Sequence, residues 1–176
     1  MSEREIDTSS QATEEKLDFE QTAREIAMGC LAGRVRLLNR VITGAYNEAL
    51  RPHGVRVEQL GLMSMVAFLD QPTPSDIERF LRLDRSTLSR NLRRLRENGW
   101  IETVPGPDAR SHRLKVTPQG QALLRRALAS WRGAQQKLRD ELGEDVLQAL
   151  FTVASRLTGD EDTPRQRQDA DHNETP

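Results

Sequence analysis

The sequence is poor in the residues that form disulfides, metal sites and aromatic cores. It has a single cysteine, Cys30, so no disulfide can form within one chain, which is typical of a reducing compartment. Its three histidines, at 53, 112 and 172, are dispersed and predict no zinc site. Aromatic residues make up only 4% of the chain, so the core must be mainly aliphatic, which favours packed helices over a sheet sandwich.

Signals for membranes, secretion and catalysis are also missing. No apolar run approaches the roughly 20 residues that a membrane helix needs. The acidic residues Glu3, Glu5 and Asp7 do not fit a secretory signal, so we expect a cytoplasmic protein that does not bind membranes. No glycine-rich phosphate loop and no nucleophile elbow is present. We therefore predict a protein that is not an enzyme and has no catalytic residue, metal or cofactor.

The charges are unevenly distributed. Residues 1–20 carry a net charge of −5 and residues 158–176 a net charge of −4, so subtracting both from the overall −1 leaves +8 on residues 21–157. The polar, acidic composition of the ends predicts disordered tails over residues 1–19 and 158–176. A basic body of this kind fits a polyanionic partner such as nucleic acid.

The strongest local pattern is a basic helix over residues 84–98. Asp84 is a good N-cap, and Gly99 suits the left-handed position after the helix end. Its apolar side consists of three leucines at helical spacing, Leu88, Leu92 and Leu95. Residues 82–96 contain six arginines and one acid. The polar face is either a solvated surface or a DNA-reading face whose short side chains and arginine forks enter a groove.

The neighbouring segments decide between these two interpretations. Thr73 is a natural N-cap and Pro74 suits the first position of a short helix that ends just before the basic one, so the pair predicts a helix-turn-helix. After Gly99 the apolar period changes to two, which predicts strands over residues 100–104 and 112–116. A helix-turn-helix followed directly by a β-hairpin is a winged helix.

Apolar residues at helical spacing predict four more helices. We place them at about residues 19–50, 57–69, 118–142 and 146–157. In the last one we expect four residues to face inward, Leu147, Leu150, Phe151 and Ala154. The predicted fold class is therefore mainly α with a small β-hairpin wing.

The order and spacing of several motifs resemble the MarR family of bacterial transcriptional regulators. The resemblance covers roughly residues 25–157. It rests on five segments, residues 50–55, 83–90, 95–101, 108–110 and 114–120. One departure is Arg82, in a turn where relatives often carry glycine or another small residue.

The resemblance implies a homodimer whose first and last helices interlock and whose two winged helices read a near-palindromic operator in double-stranded DNA. It divides the chain into a winged helix-turn-helix over residues 57–117 and a helical dimerisation region over residues 20–56 and 118–157. It also implies a pocket for small phenolic or other lipophilic ligands, whose lining residues the motifs do not identify. We expect a repressor that such a ligand releases from DNA.

The predicted DNA-binding residues fall into three groups. We expect Ser86, Thr87, Ser89 and Arg90 to approach bases, and Arg85, Arg93 and Arg94 to bind phosphates. At the start of the preceding helix the candidates are Thr73 and Ser75, and in the second strand the candidate is His112. In the wing, Arg110 should reach a flanking minor groove, and the resemblance implies that Asp108 holds it in position.

Two alternatives remain open. Some relatives sense peroxides through a cysteine in the first helix that tyrosines of the partner subunit activate, which makes Cys30 a redox candidate. Tyr46 is the only tyrosine of the chain, however, so that activating arrangement is largely missing. In the second alternative, the winged helix binds DNA without sequence preference, or binds a partner protein.

Overall fold

The computed structural model of the chain describes residues 3–107 and 112–158, and within them the side chains of residues 15–107 and 112–157. The contacts divide the chain into two compact units, Met1–Ala45 and Tyr46–Pro176. The first contains helix α1 and most of helix α2, which have the bounds Glu3–Gly29 and Leu31–Leu50.

The start of helix α1 differs from the predicted disordered tail over residues 1–19. The structure is helical from Glu3, well before the helix start predicted near Phe19. Residues 3–28 contain neither glycine nor proline and are rich in Glu, Gln and Ala, which favour helix. The other predicted tail, beyond Thr158, lies outside the described residues.

The helix predicted over residues 19–50 is interrupted at Cys30. The Cys30 amide donates to the Ile26 carbonyl at 3.1 Å, and the Arg34 amide donates to the Cys30 carbonyl at 3.2 Å, so helical hydrogen bonds lie on both sides of the break. Gly29 precedes this residue, and a glycine inside a helix costs about 1 kcal/mol relative to alanine. The break therefore falls where the chain has a weak helix former.

The second unit contains the predicted helix-turn-helix and hairpin. Its elements after α2 are a 3-10 helix (Arg51–His53), α3 (Val57–Phe68), α4 (Pro74–Leu81), α5 (Arg85–Glu97), β1 (Ile101–Pro105), β2 (His112–Val116), α6 (Pro118–Leu142) and α7 (Glu144–Thr158). The two strands pair antiparallel, from Ile101 opposite Val116 to Pro105 opposite His112. These elements confirm the predicted mainly α fold with a β-hairpin wing.

The core of this unit is aliphatic, as the shortage of aromatic residues predicts. The three leucines of α5, Leu88, Leu92 and Leu95, are at most 3% exposed. They belong to one buried cluster with side chains from α3, α4, the hairpin and α6, among them Met63, Ile77, Leu114 and Leu123. The prediction of an inward-facing leucine side on the basic helix is therefore confirmed.

The end of helix α5 also follows the predicted pattern. Gly99 has the left-handed φ of 68°. The amide of Trp100 then donates to the Leu95 carbonyl at 2.9 Å, and the Trp100 side chain is buried. This geometry ends the helix and turns the chain directly into strand β1.

The inward face predicted for the last helix is only partly correct. Helix α7 begins two residues earlier than predicted, at Glu144, and within the described chain its one buried side chain is Leu147. The other three predicted inward residues, Leu150, Phe151 and Ala154, are exposed. An apolar helix face left open in a single chain is typical of a surface that contacts another molecule.

Helix α6 approaches the start of the hairpin more closely than a side chain would allow. Thr117 caps the helix by accepting from the Gly120 amide, and its own amide donates to the Trp100 carbonyl at 3.0 Å. A Cβ built on Gly120 would lie 2.2 Å from that carbonyl oxygen and 2.8 Å from a methyl of Val116. Glycine is therefore required at this position for helix and hairpin to pack.

We predict that Gly120→Ala lowers the free energy of unfolding by about 1–3 kcal/mol, because the new methyl group must displace backbone. The matched control is Gly133→Ala in the same helix, where an added Cβ meets nothing within 4 Å. That substitution should raise stability by up to about 1 kcal/mol. Urea unfolding followed by circular dichroism measures both, and equal effects would contradict the proposed close approach.

Candidate nucleic-acid interface

Helix α4 begins at the predicted N-cap, Thr73, which forms a capping box with Asp76. The Thr73 hydroxyl oxygen accepts from the Asp76 amide at 3.2 Å, while the Asp76 carboxylate accepts from the Thr73 amide at 2.9 Å and from its hydroxyl at 2.7 Å. The hydrogen bond from the Thr73 hydroxyl is the main cause that lowers the pKa of Asp76. Thr73 therefore has its hydroxyl engaged in the cap, whereas the next candidate, Ser75, is exposed.

The turn between α4 and α5 holds Arg82, the departure from the family pattern, in a conformation that favours glycine. Arg82 ends helix α4 in the left-handed conformation, with φ of 49° and ψ of 37°. An L-residue with a Cβ is disfavoured there relative to glycine. The small residues that relatives often carry in this turn fit that conformation. Only residues 82–84 separate the two helices, so the predicted helix-turn-helix is confirmed.

The first turn of α5 is organised by Asp84. Its carboxylate accepts from the Thr87 amide at 2.8 Å and from the Ser86 hydroxyl at 2.6 Å. The bond from the Ser86 hydroxyl, followed by those from Thr87, holds the pKa of Asp84 far below its usual range. An ionised carboxylate thus sits at the helix N-terminus, where it satisfies free amides. In this state the hydroxyl of Ser86, a predicted base contact, is bonded to the capping carboxylate of Asp84.

The arginine predicted to read a base lies folded back along the helix. Arg90 donates from Nε to the Ser86 carbonyl at 3.2 Å and from a terminal nitrogen to the Thr87 hydroxyl at 3.3 Å. Both acceptors are neutral, both bonds are long, and the Arg90 side chain is exposed. Leaving these acceptors for a DNA base therefore requires little energy.

The other predicted α5 contacts are also accessible. Ser89, Arg85 and Arg94 are exposed, and within the described part of the chain neither of these arginines pairs with a carboxylate. Arg93 approaches Glu97 at 3.5 Å, with both side chains more than 60% exposed. An exposed pair of this kind contributes at most about 1 kcal/mol and is screened by salt. Among the described residues, the helix thus presents Arg85 and Arg94 to solvent without a carboxylate partner.

Two further arginines of the unit join its elements to one another. Arg96 donates to the Thr103 hydroxyl at 3.3 Å and so connects α5 with β1. Arg113 of β2 donates to the Gln71 carbonyl at 3.0 Å. Neither residue belongs to the predicted DNA-binding set. No local pattern identifies an arginine that bonds a group 42 positions earlier in the chain.

Of the wing, the structure describes the two strands and the loop residues up to 107. His112 is exposed and begins β2 opposite Pro105, at the end of the hairpin that adjoins the loop. The two loop candidates, Asp108 and Arg110, lie outside the described residues, so their roles stay predictions.

The redox candidate lies in the first unit. Cys30 is a free, exposed thiol between α1 and α2. Tyr46, in the second unit, donates its hydroxyl to Gln135 and stacks on Trp131 with ring centroids 6.3 Å apart. Burial raises the pKa of Tyr46.

Within the described ranges, no group of three or more His, Cys, Asp or Glu residues could hold a metal ion. None of the helices described there is long and apolar enough to cross a membrane.

The structure combines two helices joined by a tight turn with an adjoining β-hairpin. The second helix is basic and has an exposed polar face. These features define a DNA-binding winged helix-turn-helix protein. Residues 53–111 match the model of the MarR family. The uncharacterized HTH-type regulator YwoH of Bacillus subtilis is 28% identical over 82 residues, which are 47% of this chain and 60% of that protein. The multiple antibiotic resistance protein MarR of Salmonella typhimurium is 27% identical over 128 residues, or 72% of this chain and 79% of that protein.

Solved structures agree with this assignment. The Mycobacterium tuberculosis regulator MosR in complex with DNA is 28% identical, with a TM-score of 0.65 over 75% of this chain and 98% of that one. A MarR mutant from Escherichia coli, complexed with operator DNA, shares the fold with a TM-score of 0.67 at 24% identity, over 75% of this chain and 96% of that one. In sequence and in fold, the chain is thus similar to MarR-family transcriptional regulators.

We predict that Asp84→Asn makes stability less sensitive to acid. Because the folded-state pKa of Asp84 is lowered from 3.8, its carboxylate stabilises the fold above that pH, and this contribution is lost as pH falls through the folded value. Asparagine also caps helices well, so the variant should resemble the wild type near pH 7. Urea unfolding from pH 7 down to about 2 tests this. An unchanged loss of stability below about pH 4 would contradict the role of Asp84.

Proposed function

We propose that this MarR-family protein is a repressor that binds a near-palindromic operator as a homodimer and that a small ligand releases it. The observation that carries the proposal is the exposed polar face of α5. It presents arginines without carboxylate partners in the described chain, Arg85, Arg90 and Arg94, beside the short side chains of Ser86 and Ser89. Short residues at the front of the helix let its end approach base edges closely, and arginines behind them reach phosphates.

Base recognition falls to the first turns of α5. Ser86, Ser89 and Arg90 are exposed, and Thr87 is half-buried beside them. When Arg90 turns outward, the Ser86 carbonyl remains in its helical bond and the Thr87 hydroxyl becomes available to DNA. Arg85, Arg93 and Arg94 then neutralise phosphates, which makes operator affinity strongly dependent on salt.

The homodimer is supported by apolar surface that each unit leaves open. On α7, four residues spaced by four, three and four positions are 37–78% exposed, Val146, Leu150, Val153 and Leu157. In the first unit, four apolar residues of α2 are 56–75% exposed, Leu31, Val35, Leu37 and Val41. Apolar patches of this extent mark interaction sites, and a second copy of the chain is the partner that the family resemblance implies. A twofold dimer presents two α5 helices to successive major grooves.

Release by a ligand requires two arrangements of the dimer. The ligand must bind more tightly to the arrangement in which the two α5 helices no longer match successive major grooves. The family resemblance supports a small phenolic or other lipophilic effector. A binding-site selection with the purified protein, repeated with a panel of phenols, identifies both the operator and the effector. A panel that never weakens binding would contradict release by this class of ligand.

We predict that Arg90→Ala relaxes specificity at one base position of each operator half-site by about 1–3 kcal/mol. The control Arg94→Ala should weaken all sequences alike and reduce the slope of log affinity against log salt by about one. Competition between the selected operator and random DNA measures both effects. If Arg90→Ala kept wild-type affinity and specificity, the prediction that this face of α5 reads DNA bases would be wrong. If the wild type bound both DNAs equally, the protein would be a module without sequence preference.

We predict that Val153→Glu dissociates the dimer, because it places a charge in the apolar stripe of α7 at a cost of roughly 2–5 kcal/mol. Val153 is 51% exposed in the single chain, so the fold of one copy should persist. The matched control is Thr152→Glu, an exposed position on the other side of the same helix. Sedimentation equilibrium and operator affinity are the measurements. A wild type that sediments as a monomer would contradict the homodimer.

A further inference from the structure

The turn that leads into α4 is strained. Asp70 and Gln71 both have left-handed backbones, with φ of 46° and 61°, although neither is glycine. L-residues rarely adopt this conformation, so contacts from elsewhere must hold two of them in succession. Pro72 follows and leads directly into Thr73, the cap of α4. The placement of α4 therefore depends on what holds this turn.

Strand β2 supplies the contacts that hold the turn. The guanidinium of Arg113 donates to the Gln71 carbonyl at 3.0 Å, and the amide of Leu114 donates to the Pro72 carbonyl at 2.9 Å. The Arg113 side chain is half-buried, and its Nε is fully buried without a partner among the described residues. A guanidinium in this position faces the protein interior, in contrast to the exposed arginines of α5.

The charge of Arg113 also acts on the cap of α4. The pKa of Asp76 is lowered first by its bonds with Thr73, and to a smaller extent by the charges of Arg79 and Arg113. Strand and cap are thus connected by a hydrogen bond to the backbone of the turn and by attraction to the capping carboxylate.

We propose that Arg113 is a positioning residue for DNA binding. It holds strand β2 of the wing against the turn before α4, and so keeps the hairpin and the helix-turn-helix in the arrangement in which they meet DNA. The proposal rests on the proposed function, since it concerns the same DNA-binding surface. Arg113 itself does not contact DNA.

The buried core does not depend on this contact. Ile77, Leu88 and Leu114 are at most 2% exposed and join α4, α5 and β2 in one apolar cluster. That cluster remains when the guanidinium is removed, so the domain should still fold. What is lost is a directional constraint on the turn, which apolar packing does not replace because it has no preferred direction.

The experiment compares three variants of the full chain. Arg113→Met keeps an unbranched side chain but removes every donor, and Arg113→Lys restores the charge and a donor. The matched control is Arg125→Met, because Arg125 of α6 is an exposed arginine without a partner among the described groups. Circular dichroism at the assay temperature confirms that each variant is folded. Should Arg113→Met fail to fold, Arg113→Gln takes its place, since its amide is too short to reach the Gln71 carbonyl.

For operator binding we expect about tenfold weaker affinity in Arg113→Met, and at most about threefold weaker affinity in Arg113→Lys. Arg125→Met should bind as the wild type does. The slope of log affinity against log salt should stay at the wild-type value in Arg113→Met, because no phosphate contact is removed. A slope reduced by about one would show a direct phosphate contact and overturn the positioning role.

Hydrogen exchange provides a readout that does not need DNA. The Leu114 amide bonds the Pro72 carbonyl, so its exchange should accelerate at least about tenfold in Arg113→Met, while the amides of Leu92 and Leu95 keep wild-type rates. Acceleration throughout the domain would indicate only a general loss of stability and would overturn the proposal. Wild-type exchange together with wild-type affinity would also overturn it. If the wild type showed no operator preference, the proposed function would fail, and the exchange data would still decide whether Arg113 holds the turn.

Discussion

The proposed DNA-binding surface depends on the burial of one side of α5. Leu88, Leu92 and Leu95 are almost completely removed from water and lie in the same cluster as side chains from the other elements of the winged helix. Each contributes roughly 1.5–3 kcal/mol by burial, which together exceeds the repulsion among exposed arginines on the other side. Because helix geometry couples the two sides, packing of the leucines determines which residues point outward. Rotating the helix to hide the arginines would expose the leucines.

In the described part of the chain, the exposed side keeps most of its charge, because Arg93 alone among its arginines pairs with a carboxylate, that of Glu97. Asp84, the one acid among residues 82–96, has its carboxylate occupied by the amide of Thr87 and the hydroxyl of Ser86. It satisfies the helix N-terminus and leaves the arginines without a bonded counter-charge there. In the proposed complex with DNA, their mutual repulsion is relieved because phosphates replace the salt ions around them. The repulsion among the arginines slightly destabilises α5 in the free protein and thus favours the proposed complex with DNA.

The sequence predicts most of the winged helix because its signals are local. Thr73 and Asp84 cap the helices that they were expected to cap, and Gly99 adopts the expected left-handed conformation. The features that the sequence does not predict depend on distant groups or on another molecule. Nothing in residues near Arg113 shows that its guanidinium meets the Gln71 carbonyl. Helical periodicity shows that α7 has an apolar face, but it cannot show whether that face meets its own chain or a second copy.

The open face of α7 links the two halves of the proposed function. A single α5 helix can offer only a few base contacts, whereas two helices held at a fixed separation bind as one unit, since the second contact becomes intramolecular. The separation must match one turn of DNA, so the surface that joins two copies also determines which operators fit. Small shifts in that surface are then enough to change affinity, because a mismatch at either helix removes the gain from the other. In the proposed function, the apolar stripe that a single chain leaves uncovered is therefore as much a part of DNA recognition as the arginines.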